Sequence, residues 1–182
     1  MTDLAWLSVA EGAQLLRSRK LSPVEWTKAL LDRIAAVDPA YNAFLVVAAE
    51  RALTEAKAAE AEIAAGKWRG PMHGVPYAAK DIFDIAGMAT TCHSKIRKDH
   101  RATSDAFVIR KMQDAGAILL GKLALHEFAT GGPAFDLPWP PASYRRRSAP
   151  TPAVRCATRR PAAASSASSR PTGRSRCPAY SR

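Results

Sequence analysis

The sequence predicts an α/β protein, and three observations carry that reading. Capped amphipathic helices open the chain, a Gly/Pro-punctuated stretch then leads into the short apolar run Val75–Ala79, and a glycine-closed amphipathic segment is followed by a second apolar run, Ala117–Leu120. Helices that alternate with short buried strands define the α/β class. The chain has 182 residues and is 47% hydrophobic, which suffices for one globular domain with a core.

The elements follow in order. Ser8-Val9-Ala10-Glu11 is a capping box, in which the serine oxygen takes a free backbone N–H and the glutamate reaches back to the cap; a short helix should run to about Arg19. Ser22-Pro23-Val24-Glu25 repeats the device with proline at the first helical position, and Trp26, Leu30, Ile34 and Val37 recur at helical spacing. From Asn42 to Lys67 the chain is rich in Ala and Glu, with Leu45, Leu53, Ala56 and Ile63 spaced for one buried face and Gly66 as a stop, so a long surface helix is expected there. Beyond the strand at Val75–Ala79, a second strand is expected over Ala89–Cys92. Asp105–Ala115 reads as a helix capped by Thr103 or Ser104, with Phe107, Val108, Met112 and Ala115 on its apolar side and Gly116 just past its end.

After about Ala142 the character changes to Arg, Ala, Ser and Pro, with Val154 the one large aliphatic residue in the last forty. Such a stretch cannot bury enough apolar surface to offset its ordering entropy, so residues 143–182 are expected to be disordered and residues 1–142 to form the folded part. The tail also holds 10 Arg and no acid, which leaves 17 basic against 16 acidic groups in residues 1–142. Ten of the eleven net positive charges therefore reside in the tail. It raises an anionic-surface or nucleic-acid binder as a rival reading, whose binding should weaken steeply with salt. No binding-fold motif accompanies the arginines, so nucleic acid is not the expected partner.

No stretch approaches the roughly 20 apolar residues of a membrane span, and Met1–Ser8 lacks the basic start and apolar run of a signal peptide. A cytoplasmic protein without a membrane partner is the expectation. Cys92, Cys156 and Cys177 show neither metal-ligand spacing nor an even disulfide framework, and His73, His93, His100 and His126 are scattered. No metal and no cofactor is predicted.

The most informative segment is Gly70–Asp81, where Lys80 directly follows the apolar strand. A lysine leaving a strand end usually solvates itself. The functional alternative is a lysine in a low-dielectric site, where desolvation disfavours the ammonium and the neutral amine can act as a base. Gly70–Asp84 (GPMHGVPYAAKDIFD), Ala86–Thr91 (AGMATT), Ala115–Lys122 (AGAILLGK) and Leu125–Ala129 (LHEFA) together resemble the amidase signature family in order and approximate spacing. The resemblance covers most of Leu4–Gly132. It implies the N-terminal part of the amidase-signature fold, helices around an incomplete mixed sheet, and hydrolysis of a small-molecule carboxylic amide by a Ser–Ser–Lys triad without cofactor.

In that resemblance Lys80 is the ultimate base, behind a nucleophilic serine and a second, relaying serine. Thr130-Gly131-Gly132 resembles a loop lining the family's active site, and Asp81 and Glu127 read as local hydrogen-bond partners rather than catalysts. Both serines and the glycine-rich oxyanion turn are expected beyond Gly132, yet the tail's Ser165-Ser166 and Ser168-Ser169 sit among alanines. Within the resembling family, a free amidase and the A subunit of glutamyl-tRNA amidotransferase, which uses the same hydrolytic chemistry to deliver ammonia within a complex, are equally compatible with residues 1–142.

The tail has a specific reading. Back-translating Tyr144–Thr158 with free third bases, then reading triplets that begin on each third base, permits Pro-Ala-Ala-Leu-Gly-Thr-Asp-Thr-Gly-Gly-Ser-Val-Arg-Asp. That string resembles the family's nucleophile motif. The expectation is a change of reading frame after about residue 142, which leaves the chain as written without its serines and catalytically incomplete.

Overall fold

The computed structural model describes residues 4–131. The predicted tail and Gly132 lie outside them. Four helices, α1 (Val9–Arg17), α2 (Pro23–Tyr41), α3 (Ala49–Ala64) and α4 (Phe107–Asp114), accompany three strands, β1 (Phe44–Val47), β2 (Pro76–Lys80) and β3 (Ile118–Leu123). The sheet has the order β1-β3-β2, with β1 antiparallel and β2 parallel to β3. The expected α/β class with a small mixed sheet is what forms.

Both N-terminal serine caps form. The Ser8 side chain accepts from the Glu11 amide while Glu11 reaches back to the Ser8 N–H; at the second cap the Ser22 oxygen accepts from Val24 and Glu25, but the reciprocal bond of a full capping box is not formed. Trp26 of α2 is buried, whereas Val37 near its end is exposed.

The stretch from Asn42 onward is not one helix. Asn42 takes a left-handed conformation (φ 50°) that ends α2, and the Asp38 carboxylate accepts from the Ala43 and Phe44 amides at 2.7 and 3.2 Å. The turn so fixed directs Phe44–Val47 into a strand, and α3 begins only at Ala49. Its buried face is Ala52, Ala56, Ala59 and Ile63, so Leu45 and Leu53 do not belong to it. Four β-prone residues were hidden by the surrounding Ala/Glu composition, and pairing with β3 overrode the local helical average.

Two further expectations are corrected. Ala89–Cys92 is not a strand: Ala89 makes an isolated bridge to Arg101, and Cys92 and His93 have positive φ. Helix α4 starts at Phe107 on Ala106 without a side-chain cap, and its buried residue is Ile109 while Phe107 and Val108 are exposed. The carboxylate of Asp105, placed to serve the helix start, instead accepts from the Ala86 amide at 2.7 Å and so ties α4 to the loop after β2. Gly116 closes the segment as expected, at φ +76°.

The core lies on both faces of the central strand. Ile118 and Leu120 of β3 pack with Ala52 and Ala56 of α3, and Leu119 packs with Ala79, Ile85 and Ile109 on the α4 side. A third cluster joins Leu16, Leu21, Trp26, Ile63 and Val75. Fully buried aliphatic side chains of this kind each contribute about 1.5–3 kcal/mol relative to exposure. A bulge interrupts the β2–β3 ladder, since Tyr77 pairs with Leu119 but the next residue, Ala78, pairs with Gly121. That extra residue shifts the alternation of side chains along β3. Leu119 and Lys122 therefore face the same side although three positions apart.

Candidate active site

At the end of β2 two charged residues follow one another, and the pleat sends them to opposite faces. Lys80 is exposed. Asp81 is 2% exposed and forms an ion pair with Lys122, which is fully buried, at 2.7 Å between Oδ1 and Nζ. The buried lysine is thus not the one singled out from the sequence. Within the described residues Lys80 is exposed rather than desolvated. Lys122 lies two residues beyond the predicted strand Ala117–Leu120 and was marked in the sequence only as the end of the family-like segment Ala115–Lys122, with no role of its own.

The buried pair is saturated with partners. Lys122 Nζ also donates to the Ala89 carbonyl at 2.6 Å and to Thr90 Oγ1 at 2.8 Å, so all three ammonium protons are used. Asp81 Oδ2 accepts from the Thr91 amide at 3.0 Å and from Thr91 Oγ1 at 2.5 Å. Charge-assisted bonds of this kind are the strong ones, and only such full satisfaction makes a buried charge tolerable.

A chain of backbone bonds extends from this pair. The Asp81 amide donates to Leu123 O at 2.9 Å, the Cys92 amide to Asp81 O at 3.1 Å, and the Phe128 amide to Cys92 O at 2.9 Å. Phe128, two residues before Thr130, is thus linked through Cys92 to Asp81. Thr130, exposed, turns back with its amide and hydroxyl on Glu127 O, and Gly131 is exposed at φ +68°. Four non-glycine residues with positive φ, Cys92, His93, Phe128 and Ala129, lie in these two hydrogen-bonded segments. Such conformations are sparsely populated and cluster at sites where geometry is over-determined by surrounding contacts. Burial pushes the Cys92 thiol up from its ordinary value, as befits a reduced, unreactive cysteine.

Two histidines, His126 and the buried His93, belong to these two segments, whereas His73 does not. His73 lies in a cleft with Glu62, Arg69 and Gly116, where its Nδ1 accepts from the Arg69 amide and its Nε2 stands 3.3 Å from a Glu62 oxygen. Desolvation lowers its basicity, against the opposing pull of Glu62. Arg69 fixes Glu62 in turn, with Nε 2.6 Å from the carboxylate, and lowers that carboxylate's pKa. This is a structural network, closed by the tilted packing of Trp68 on the His73 ring.

An exposed lysine at a strand end, a buried ion pair at the next residue and two constrained turns thus form one hydrogen-bonded unit on an α/β scaffold. The family model for Amidase matches residues 25–135, and the chain belongs to the amidase family. It is 50% identical over 131 residues to the A component of the glutamyl-tRNA(Gln) amidotransferase of Acidothermus cellulolyticus, an alignment covering 72% of this chain and 26% of that protein. It is 41% identical over 131 residues to an amidase of Pseudomonas putida, with 72% and 28% covered. The crystal structure of the peptide amidase from Stenotrophomonas maltophilia superposes with a TM-score of 0.64 at 36% identity, covering 69% of this chain and 26% of the other. The chain spans about a quarter of the length of the curated relatives it matches. Among the described residues no helix is long and apolar enough to cross a membrane.

Proposed function

We propose that this chain carries the lysine-bearing part of an amide hydrolase, with Lys80 as the ultimate base of a Ser–Ser–Lys triad acting on a small-molecule carboxylic amide. The observation that carries the reading is the placement of Lys80 at an open strand end, next to the buried Asp81 and beside the constrained 92–93 and 128–129 turns. In the reaction the neutral amine takes a proton, relayed by one serine, from the second serine as its oxygen attacks the amide carbon. The proton then goes to the departing nitrogen, and water releases the acid from the acyl intermediate. Residues that cover Lys80 in the complete domain would supply the desolvation that a neutral amine requires. On this reading Thr130, Gly131 and Gly132 would be the residues that contact the substrate.

On this reading residues 1–142 are the family part and residues 143–182 are out of frame, and neither serine motif occurs within the 182 residues. The absence of a cofactor requirement and a cytoplasmic location go with this reading, the buried Cys92 being a reduced thiol.

The test has two arms. Sequencing the coding DNA across codons 130–182 and beyond shows whether the Gly-Gly-Ser frame exists, and ammonia release from a carboxamide panel is then measured for the 182-residue chain and for the frame-restored protein. The restored protein is expected to turn over and to lose activity by a factor on the order of 10⁴ in Lys80→Ala. Turnover by the 182-residue chain that vanishes in Lys80→Ala, or a restored protein indifferent to that change, refutes the reading.

The second reading is a component of an amidotransferase complex, favoured by the 50% identity to an amidotransferase chain against 41% to an amidase. A restored protein that hydrolyses glutamine only alongside partner proteins would support it.

A further inference from the structure

The ion pair between Asp81 and Lys122 raises a question that its strength does not answer. Two charges taken fully out of water are costly, and a well-packed apolar pair of similar volume commonly stabilises a fold as well or better. What an apolar pair cannot reproduce is geometry. Lys122 joins β3 through one ammonium to three points, the Asp81 carboxylate at the end of β2 and the Ala89 carbonyl and Thr90 hydroxyl of the following loop. Asp81 returns a bond to Thr91 through its other oxygen. All of this lies on the face of the sheet opposite Lys80.

We infer that Asp81 and Lys122 are positioning residues for Lys80: the buried pair clamps the strand end and the 89–92 loop together, and thereby fixes where the neighbouring lysine emerges and where the 126–131 turn sits. The direction of Lys80 follows from Asp81, since consecutive residues at a strand end must point to opposite faces. The turn follows from Cys92, whose amide binds Asp81 O and whose carbonyl accepts from Phe128. The inference rests on the proposed role of Lys80, but the geometry it describes can be tested without catalysis.

The experiment uses the 182-residue chain. Single substitutions such as Lys122→Met leave one buried charge unpaired and can unfold the chain, so the decisive variant is the double change Asp81→Leu with Lys122→Met. Hydrogen exchange is followed at three amides whose bonds are backbone to backbone and untouched by either substitution: position 81 to Leu123 O, Cys92 to position 81 O, and Phe128 to Cys92 O. In parallel the ¹³C signal of dimethylated Lys80, assigned with Lys80→Arg, reports its surroundings.

The inference expects a folded double variant with an unfolding midpoint close to or above the parent's. Exchange at those three amides should be at least tenfold faster, with amides of α3 unchanged and a shifted or broadened Lys80 signal. Unchanged exchange and an unchanged Lys80 signal in the folded double variant would overturn it. Collapse of the whole fold would also overturn it, because the pair would then be a general structural support. Either failure leaves Lys80 as the proposed base, and an indifferent Lys80→Ala would leave the measured clamp intact.

Discussion

Gly121 is the point at which the sheet tolerates least. It lies on the central strand between the β2 bulge and the antiparallel partner β1, where Val47 is its register partner. A Cβ added there would stand 2.1 Å from the Val46 carbonyl oxygen and 3.1 Å from the Val46 carbon and Val47 Cα, all of them backbone atoms that cannot rotate away. At the oxygen that is about 1 Å or more short of van der Waals contact. The φ of +157° adds strain for any L side chain. Overpacking costs about 1–3 kcal/mol and a sparsely populated backbone conformation about 1–3 kcal/mol, so Gly121→Ala should lose roughly 2–6 kcal/mol. Against a domain stability of about 5–15 kcal/mol this is a large fraction. Gly66→Ala is the control, having φ +79° but nothing within 4 Å, and should cost only about 1–2 kcal/mol. Equilibrium urea unfolding followed by far-UV circular dichroism measures both. If Gly121→Ala proves no more destabilising than Gly66→Ala, the close approach of β1 to β3 is wrong as described.

Gly12 sets helix propensity against packing. Alanine in mid-helix should gain about 0.8–1 kcal/mol, but its Cβ would meet the Trp26 ring at 2.1 Å, and that ring is held by its Nε1–H donating to Leu4 O at 3.0 Å. Gly12→Ala is therefore expected to be net destabilising by about 1 kcal/mol in the same assay. Tyr77 is pushed up to about 12, first by burial and then by the Glu55 carboxylate. A folded value raised above the unfolded one, near 10, gives stability present below that unfolded value and lost as pH rises through the folded one. Tyr77→Phe should accordingly remove the part of the tyrosinate absorbance that develops near pH 12 and flatten the loss of stability between pH 10 and 12. His73 has the opposite sign. Its depressed basicity gives stability that is full above the unfolded value, about 6.5, and falls as the pH drops toward the folded value. Denaturant midpoints at pH 8 and 5 should differ less in His73→Asn, which keeps an acceptor for the Arg69 amide but does not titrate.

Much of this was readable before any coordinates. The serine caps, the proline at the start of α2, the closing glycine after α4 and the apolar runs at β2 and β3 are local devices, each decided by a few neighbouring residues. The linked segments from Gly70 to Ala129 likewise placed the family. What the sequence left undecided depends on distant partners. Phe44–Val47 is β-prone, but it becomes a strand because β3 lies beside it and Asp38 turns the chain toward it, which the surrounding Ala/Glu composition does not show. The inward face of α4 is Ile109 because Asp105 is engaged with Ala86. Most of all, Lys80 and Lys122 look alike as lysines ending apolar runs. Only the β2–β3 bulge, which shifts the alternation of one strand against the other, sends Lys122 into the core to meet Asp81 and leaves Lys80 on the open face, since register is a property of two strands together.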